Sequence, residues 1–167
     1  MPISGVAQPE MIYVDGDLRL RRFDGKCDLA LSWYQDEETL LLVDGKADPY
    51  TPVRIKRMYD YLSERGELYW IEYRRGEDYF PIGDVTLWQD DLPIVIGDPA
   101  YRGKGIGRRV IEALCRRAGE LGWQEVRVNE IYDYNEGSRR CFERAGFVPR
   151  GKTEHGTRYV RYLEDAT

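Results

Sequence analysis

Only one histidine, His155, occurs in the chain, and its three cysteines, Cys27, Cys115 and Cys141, stand far apart. That scarcity speaks against a zinc site, and an odd number of cysteines at these spacings speaks against a disulfide framework. We therefore expect reduced thiols, no metal and a reducing, cytoplasmic setting. No apolar run reaches the ~20 residues of a membrane helix. The start, Met1-Pro2-Ile3-Ser4, has neither a cationic region nor a following apolar stretch, so neither membrane insertion nor export is expected. A basic surface is missing as well. With 25 Lys+Arg against 30 Asp+Glu and a formal net charge of −5, the chain is a poor match for nucleic acid and a better one for a cationic substrate. Repeats, low-complexity tracts and interdomain linkers are absent, and 167 residues suit a single domain, 1–167, around one core. The 13 tyrosines and 4 tryptophans are a heavy aromatic load. Rings beside carboxylates can hold ammonium groups, although core packing accounts for most of them.

Residues 11–14 and 18–23 flank Asp15-Gly16, a turn dipeptide that closes hairpins. A short helix is expected over 25–33, and 36–50 lacks a clean period and should include a loop. Thr51-Pro52 is a cap followed by a first-turn proline, and Ile55, Met58, Tyr59 and Leu62 then repeat with helical spacing up to Gly66. Residues 67–74 and 79–88 form a second hairpin around Arg75-Gly76-Glu77-Asp78, and a strand at 94–98 continues the sheet. A crossover helix over 105–121 buries Ile106, Val110, Leu114 and Leu121, and returns the chain into a strand at 125–131 parallel to 94–98. A helix at 138–145 and strands at 148–151 and 157–163, paired around Glu154-His155-Gly156, complete the order. The fold class is α/β (α+β): a mixed, mostly antiparallel sheet with a central parallel strand pair and flanking helices.

The segment 92–107, Leu92-Pro93-Ile94-Val95-Ile96-Gly97-Asp98-Pro99-Ala100-Tyr101-Arg102-Gly103-Lys104-Gly105-Ile106-Gly107, runs from a short apolar strand through a cationic glycine loop into a helix. Glycines at 103, 105 and 107 let an anion approach backbone N–H groups at the positive end of that helix. The spacing fits neither a Walker A loop nor the G-x-G-x-x-G of dinucleotide folds.

Arg102, Gly105 and Gly107 match the Gln/Arg-x-x-Gly-x-Gly/Ala loop of the GNAT superfamily of N-acetyltransferases. Asn135-Glu136-Gly137-Ser138-Arg139-Arg140-Cys141-Phe142-Glu143-Arg144-Ala145-Gly146-Phe147 resembles the Asn-to-Gly-Phe helix that follows in that family. With the element order, the resemblance covers most of 18–163. It implies acetyl-CoA as cosubstrate, with the diphosphate held by Arg102, Gly103, Lys104, Gly105, Ile106 and Gly107, and Arg108 or Arg109 at the 3′-phosphate. A backbone N–H near Ile96 would serve the oxyanion, and Asn135 and Ser138 the cofactor arm. The acceptor would be an amine of an aminoglycoside- or polyamine-like molecule or of a protein N-terminus, in a pocket shaped by 33–50. A homodimer is implied by analogy alone.

Glu130 matches the glutamate base of the ribosomal-protein branch, and an exposed strand carboxylate would read the same. Asp98 ends the other cleft strand, where it also opens an Asp-Pro turn. Asp84, Asp90 and Asp91 stand further off as substrate contacts. Asn135 and Ser138 equally suit a helix cap. Where many members have a tyrosine as general acid this chain has Phe142, so Tyr134, Tyr132, Tyr101 or water would take that role. Cys141 suggests an acyl-enzyme but also a small buried group, and His155 reads as an exposed turn residue. A noncatalytic acyl-CoA-binding or sensing module is the competing function, and a Rossmann-type nucleotide binder is a poorer one.

Overall fold

The computed structural model describes residues 2–164. Two compact units divide the chain: the first takes the residues up to Thr86 together with Ile94–Tyr101, the second Leu87–Pro93 and the residues from Arg102 onward.

In the first unit, β1 (Met11–Tyr13), β2 (Leu18–Arg22), β3 (Glu67–Arg75), β4 (Asp78–Leu87) and β5 (Ile94–Ile96) are successive neighbours in one sheet. The hairpin expected around Asp15-Gly16 is present, with Met11 opposite Arg21 and Tyr13 opposite Arg19. Alternation along β2 buries Leu18 and Leu20 completely, while Arg19 and Arg21 fork onto Glu72 of β3 at 2.8 and 2.9 Å. β5 is shorter than the expected 94–98. It runs antiparallel to β4, with Gly83 opposite Ile96. The N–H groups of Gly97 and Asp98 then both reach the Ile82 carbonyl, at 2.8 and 3.0 Å. Two residues against one is bulge geometry, and it ends the ladder.

Two helices belong to this unit: α1 (Glu37–Asp44) and α2 (Pro52–Arg65). α1 occupies part of the stretch expected to hold a loop. Its signals are local. Asp36 accepts from the Thr39 N–H and hydroxyl at 3.0 and 2.9 Å, Glu37 and Glu38 sit at the positive end, and Gly45 closes it at φ 75°. The unbroken run Leu40-Leu41-Leu42-Val43 hides any helical period. The helix expected over 25–33 is instead two single 3-10 turns, Asp28–Ala30 and Trp33–Gln35. α2 matches its expectation and buries Ile55, Tyr59 and Leu62. Its cap is Thr51, whose hydroxyl accepts from the Arg54 N–H at 3.2 Å. Thr51→Ala is expected to cost about 1 kcal/mol, read as a lower urea midpoint at unchanged m-value.

The second unit holds α3 (Ile106–Glu120), β6 (Glu125–Tyr132), α4 (Glu136–Arg144), β7 (Val148–Lys152) and β8 (Gly156–Tyr162). Its sheet runs β6-β8-β7, antiparallel at both joints. α3 buries Ile106, Val110, Ile111, Leu114 and Ala118, close to the expected stripe. β5 and β6 belong to different sheets, so the expected parallel relation is not a hydrogen-bonded ladder among the described residues. The β6 register shifts between Val128 and Ile131, which puts a bulge at Asn129 and Glu130.

Candidate active site

The glycine loop leads into α3, whose N-cap is Gly105 at φ 76° with no side-chain cap. Gly103 also has positive φ, 71°, and at both positions an added Cβ would meet nothing within 4 Å. Bulkier residues resist this left-handed backbone, so glycine shapes the loop. The first intrahelical bond runs from the Arg109 N–H to the Gly105 carbonyl at 3.2 Å, which leaves the N–H groups of Ile106, Gly107 and Arg108 without a partner in the helix. Those amides, at the positive end of a 15-residue helix, form an anion cradle. The Ile106 side chain is buried at 3% exposure, so this residue offers the loop only its backbone. Lys104 and Arg108 are exposed and Arg102 half-buried. The uncapped amides, the open space beside the glycines and the flanking cations fit the diphosphate of acetyl-CoA.

Asn135 caps α4: its Oδ1 accepts from the Ser138 N–H at 3.1 Å. That leaves the Asn135 amide nitrogen as the side chain's donor and confines Ser138, in this contact, to a backbone role. Phe142 is 2% exposed and meets Phe147 edge to face at 5.1 Å, so this position is core and supplies no proton. Tyr134 is 57% exposed and lies over Tyr132, with rings 5.5 Å apart and 10° from parallel. The Tyr101 hydroxyl accepts from Arg75 Nε at 2.6 Å. Burial pushes the Cys141 thiol up to about 11, with Arg108 and Arg144 opposing, so it is not a thiolate nucleophile at neutral pH. Cys141→Ser is therefore expected to keep turnover within about threefold, measured by thiol release; a loss of 100-fold or more would restore the acyl-enzyme.

Glu130 sits in the β6 bulge, half-buried, and accepts from the Thr153 hydroxyl, whose oxygen in turn accepts from the Gly156 N–H at 2.9 Å. The carboxylate is thus held in one place while keeping acceptor capacity. Asp98 is committed to its turn. One carboxylate oxygen accepts from the Ala100 N–H at 3.0 Å, and the other lies 3.7 Å from Arg75. Asp91 accepts from the N–H groups of Asn129 and Leu92 at 3.0 and 2.9 Å, bracing the bulge. Burial raises its pKa, against those two bonds. His155 is exposed in its turn, as expected.

Asp84 differs from all of these. It lies on β4 opposite Val95, 2% exposed, and its Oδ2 accepts from the hydroxyls of Tyr34 and Tyr59, each at 2.8 Å. Burial pushes its pKa up to about 6 despite both hydrogen bonds, and drives the two phenols well above their ordinary value. No sequence pattern marks this triad, because its members come from β4, a 3-10 turn and α2. Among the described residues no cluster of His, Cys, Asp and Glu could hold a metal ion, and no helix is long and apolar enough to cross a membrane.

An uncapped glycine loop feeding a helix, a bulged strand carrying a tethered carboxylate and an asparagine-capped helix define the class: a transferase that draws its acyl group from coenzyme A. A model of the acetyltransferase (GNAT) family matches residues 29–147, and the chain belongs to that family. It is an acetyl-CoA-dependent N-acetyltransferase. Solved structures share the fold at low identity. A domain from Methanocaldococcus jannaschii superposes with a TM-score of 0.79 at 20% identity, covering 89% of this chain and all of that one. The aminoglycoside acetyltransferase AAC(6')-Ib, crystallised with coenzyme A and kanamycin, gives 0.70 at 15% identity, over 87% of this chain and 94% of its own. RimL, the ribosomal L7/L12 alpha-N-protein acetyltransferase crystallised with coenzyme A, gives 0.74 at 16%, over 92% and 98%.

Proposed function

We propose that the enzyme acetylates a primary amine of a small cationic molecule or of a protein N-terminus by direct attack, with Glu130 as general base. The observation that carries this is the Glu130 carboxylate, fixed by Thr153 within the β6 bulge and five residues ahead of the Asn135 cap. Bound acetyl-CoA supplies an activated thioester carbonyl. The chain's own residues do the rest. The amides of Ile106, Gly107 and Arg108 hold the diphosphate. Glu130 takes the ammonium proton, directly or through one water, because an alkylamine with a pKa of about 10.4 is almost wholly protonated at neutral pH. Tyr134 or water protonates the departing thiolate, itself a tolerable leaving group with a thiol pKa near 8.5.

Both amine classes have support in the neighbours, one crystallised with kanamycin and one described as an L7/L12 α-N-acetyltransferase. The acidic balance, −5, favours a cationic acceptor. We read the chain as one functional domain over 1–167, working in the cytoplasm, with 33–50 shaping the acceptor pocket; the family match spans parts of both units. Thiol release with acetyl-CoA and a panel of aminoglycosides, polyamines and N-terminal peptides tests the reading. Release with at least one class is expected. Tight CoA binding without release from any amine would favour a sensor, the reading that the buried Phe142 motivates.

A further inference from the structure

The aromatic cluster of the first unit is built around a carboxylate, Asp84, that has no cation beside it among the described residues. Tyr34, Tyr59 and Trp70 are at most 1% exposed, and their rings meet edge to face, Tyr34 to Tyr59 at 6.4 Å and Tyr59 to Trp70 at 5.4 Å. The ring packing needs no charge, and the two buried phenol hydroxyls need only a neutral acceptor. A carboxylate in its midst gives up hydration that two phenol hydroxyls only partly replace, so its presence calls for an explanation other than cohesion.

What Asp84 holds supplies one. Tyr34 lies in the 3-10 turn Trp33–Gln35, directly before the Asp36 cap of α1. Its carbonyl accepts from the Tyr50 N–H at 3.0 Å, and its ring lies 5.1 Å from that of Tyr50. Gln35 donates to the Tyr50 carbonyl at 3.2 Å. Both ends of the 36–50 excursion, α1 included, are therefore gathered on Tyr34. The residue before it, Trp33, lays its indole on Gly97, where an added Cβ would fall 2.3 Å from the ring. Gly97 is the residue at which β5 gives way to its bulge.

We propose that Asp84 is a positioning residue for the acceptor: by anchoring the Tyr34 hydroxyl it fixes the turn that sets Trp33 on Gly97 and the excursion 36–50 on Tyr50. This rests on the reading that the enzyme acetylates an amine whose pocket is shaped by 33–50. Asp84 does not touch the reacting atoms. Its effect passes through Tyr34, and loss of the anchor leaves the wall of the acceptor pocket to be ordered by the acceptor itself, at a cost in affinity. Tyr59 bonds the same oxygen but borders neither Trp33 in sequence nor Tyr50 through its backbone, so it belongs to the core and not to the wall.

Steady-state kinetics and fluorine NMR of 5-fluorotryptophan-labelled protein test this, with the Trp33 signal assigned by Trp33→Phe. For Asp84→Leu, which removes the acceptor where an amide oxygen would keep it, and for Tyr34→Phe the expected result is an acceptor KM raised about tenfold or more, kcat within threefold and CoA affinity within twofold. The Trp33 signal should shift or broaden while those of Trp88 and Trp123 stay put. Tyr59→Phe should change KM by less than threefold. Tyr34→Phe keeps the ring and carries the test if Asp84→Leu does not fold. An unchanged KM in folded Tyr34→Phe would overturn the proposal. So would an equal KM effect in Tyr59→Phe, or a fall in kcat at constant KM in Asp84→Leu. If the wild type released no thiol with any amine, the functional reading would fail by itself. An unmoved Trp33 signal in Tyr34→Phe would then still overturn the link to Asp84.

Discussion

Gly105→Val is expected to raise the dissociation constant for CoA by at least 100-fold, about 2.7 kcal/mol. Gly105 stands at φ 76° as the N-cap of α3. A β-branched residue is strained there by about 1–3 kcal/mol, and relief of that strain rotates the peptide that precedes the free amides of Ile106 and Gly107. The space beside Gly105 is open, so the loss comes from backbone conformation and from an obstructed approach to the cradle, not from a clash within the fold. Calorimetry on the variant, with circular dichroism to verify folding, checks this. Wild-type affinity in folded Gly105→Val would remove the diphosphate from this loop.

Glu130→Gln is expected to slow turnover about 100-fold, the lower end of what a positioned base contributes, with CoA affinity within twofold of wild type. Glutamine keeps an oxygen to accept from Thr153, so the bulge and the turn that holds Gly156 are preserved while the proton acceptor is lost. Asp98→Asn is the matched control. Its carboxylate serves the Ala100 N–H, which an amide oxygen also satisfies, and turnover within threefold is expected. Stopped-flow thiol release separates the two. Equal rates for Glu130→Gln and wild type would take Glu130 out of the mechanism.

The parts of the chain that could be read from sequence are those whose signals are local. Thr51-Pro52 announced α2, the glycines at 103, 105 and 107 announced the anion loop, and Asp15-Gly16 announced the first hairpin. Helix α1 escaped because Leu40-Leu41-Leu42-Val43 has no period, although Asp36 and Gly45 stand at its ends as cap and stop. Strand β5 came out two residues short because the bulge after Ile96 depends on the Ile82 carbonyl, fourteen residues back. Among the site residues, Asn135 announced its cap, but Glu130 and Asp98 looked alike. What separates them is a threonine twenty-three positions away in one case and the adjacent turn in the other. The Asp84 triad was wholly nonlocal, with partners 50 and 25 residues distant.

The carboxyl at position 84 also gives folding a proton linkage. Its native pKa, about 6, exceeds the ordinary value near 3.9 of an unfolded aspartate. Folding therefore takes up a proton between those limits. The associated stabilisation is complete in acid below pH 4 and vanishes as pH rises through 6, a span of about 3 kcal/mol. Asp24 and Glu125, with lowered values, act in the opposite sense. The difference in urea midpoint between wild type and Asp84→Asn isolates the one group, and it should swing toward the variant from pH 4.5 to 7.5. Through this one carboxyl mild acid tightens the fold, while through Asp24 and Glu125 it loosens it.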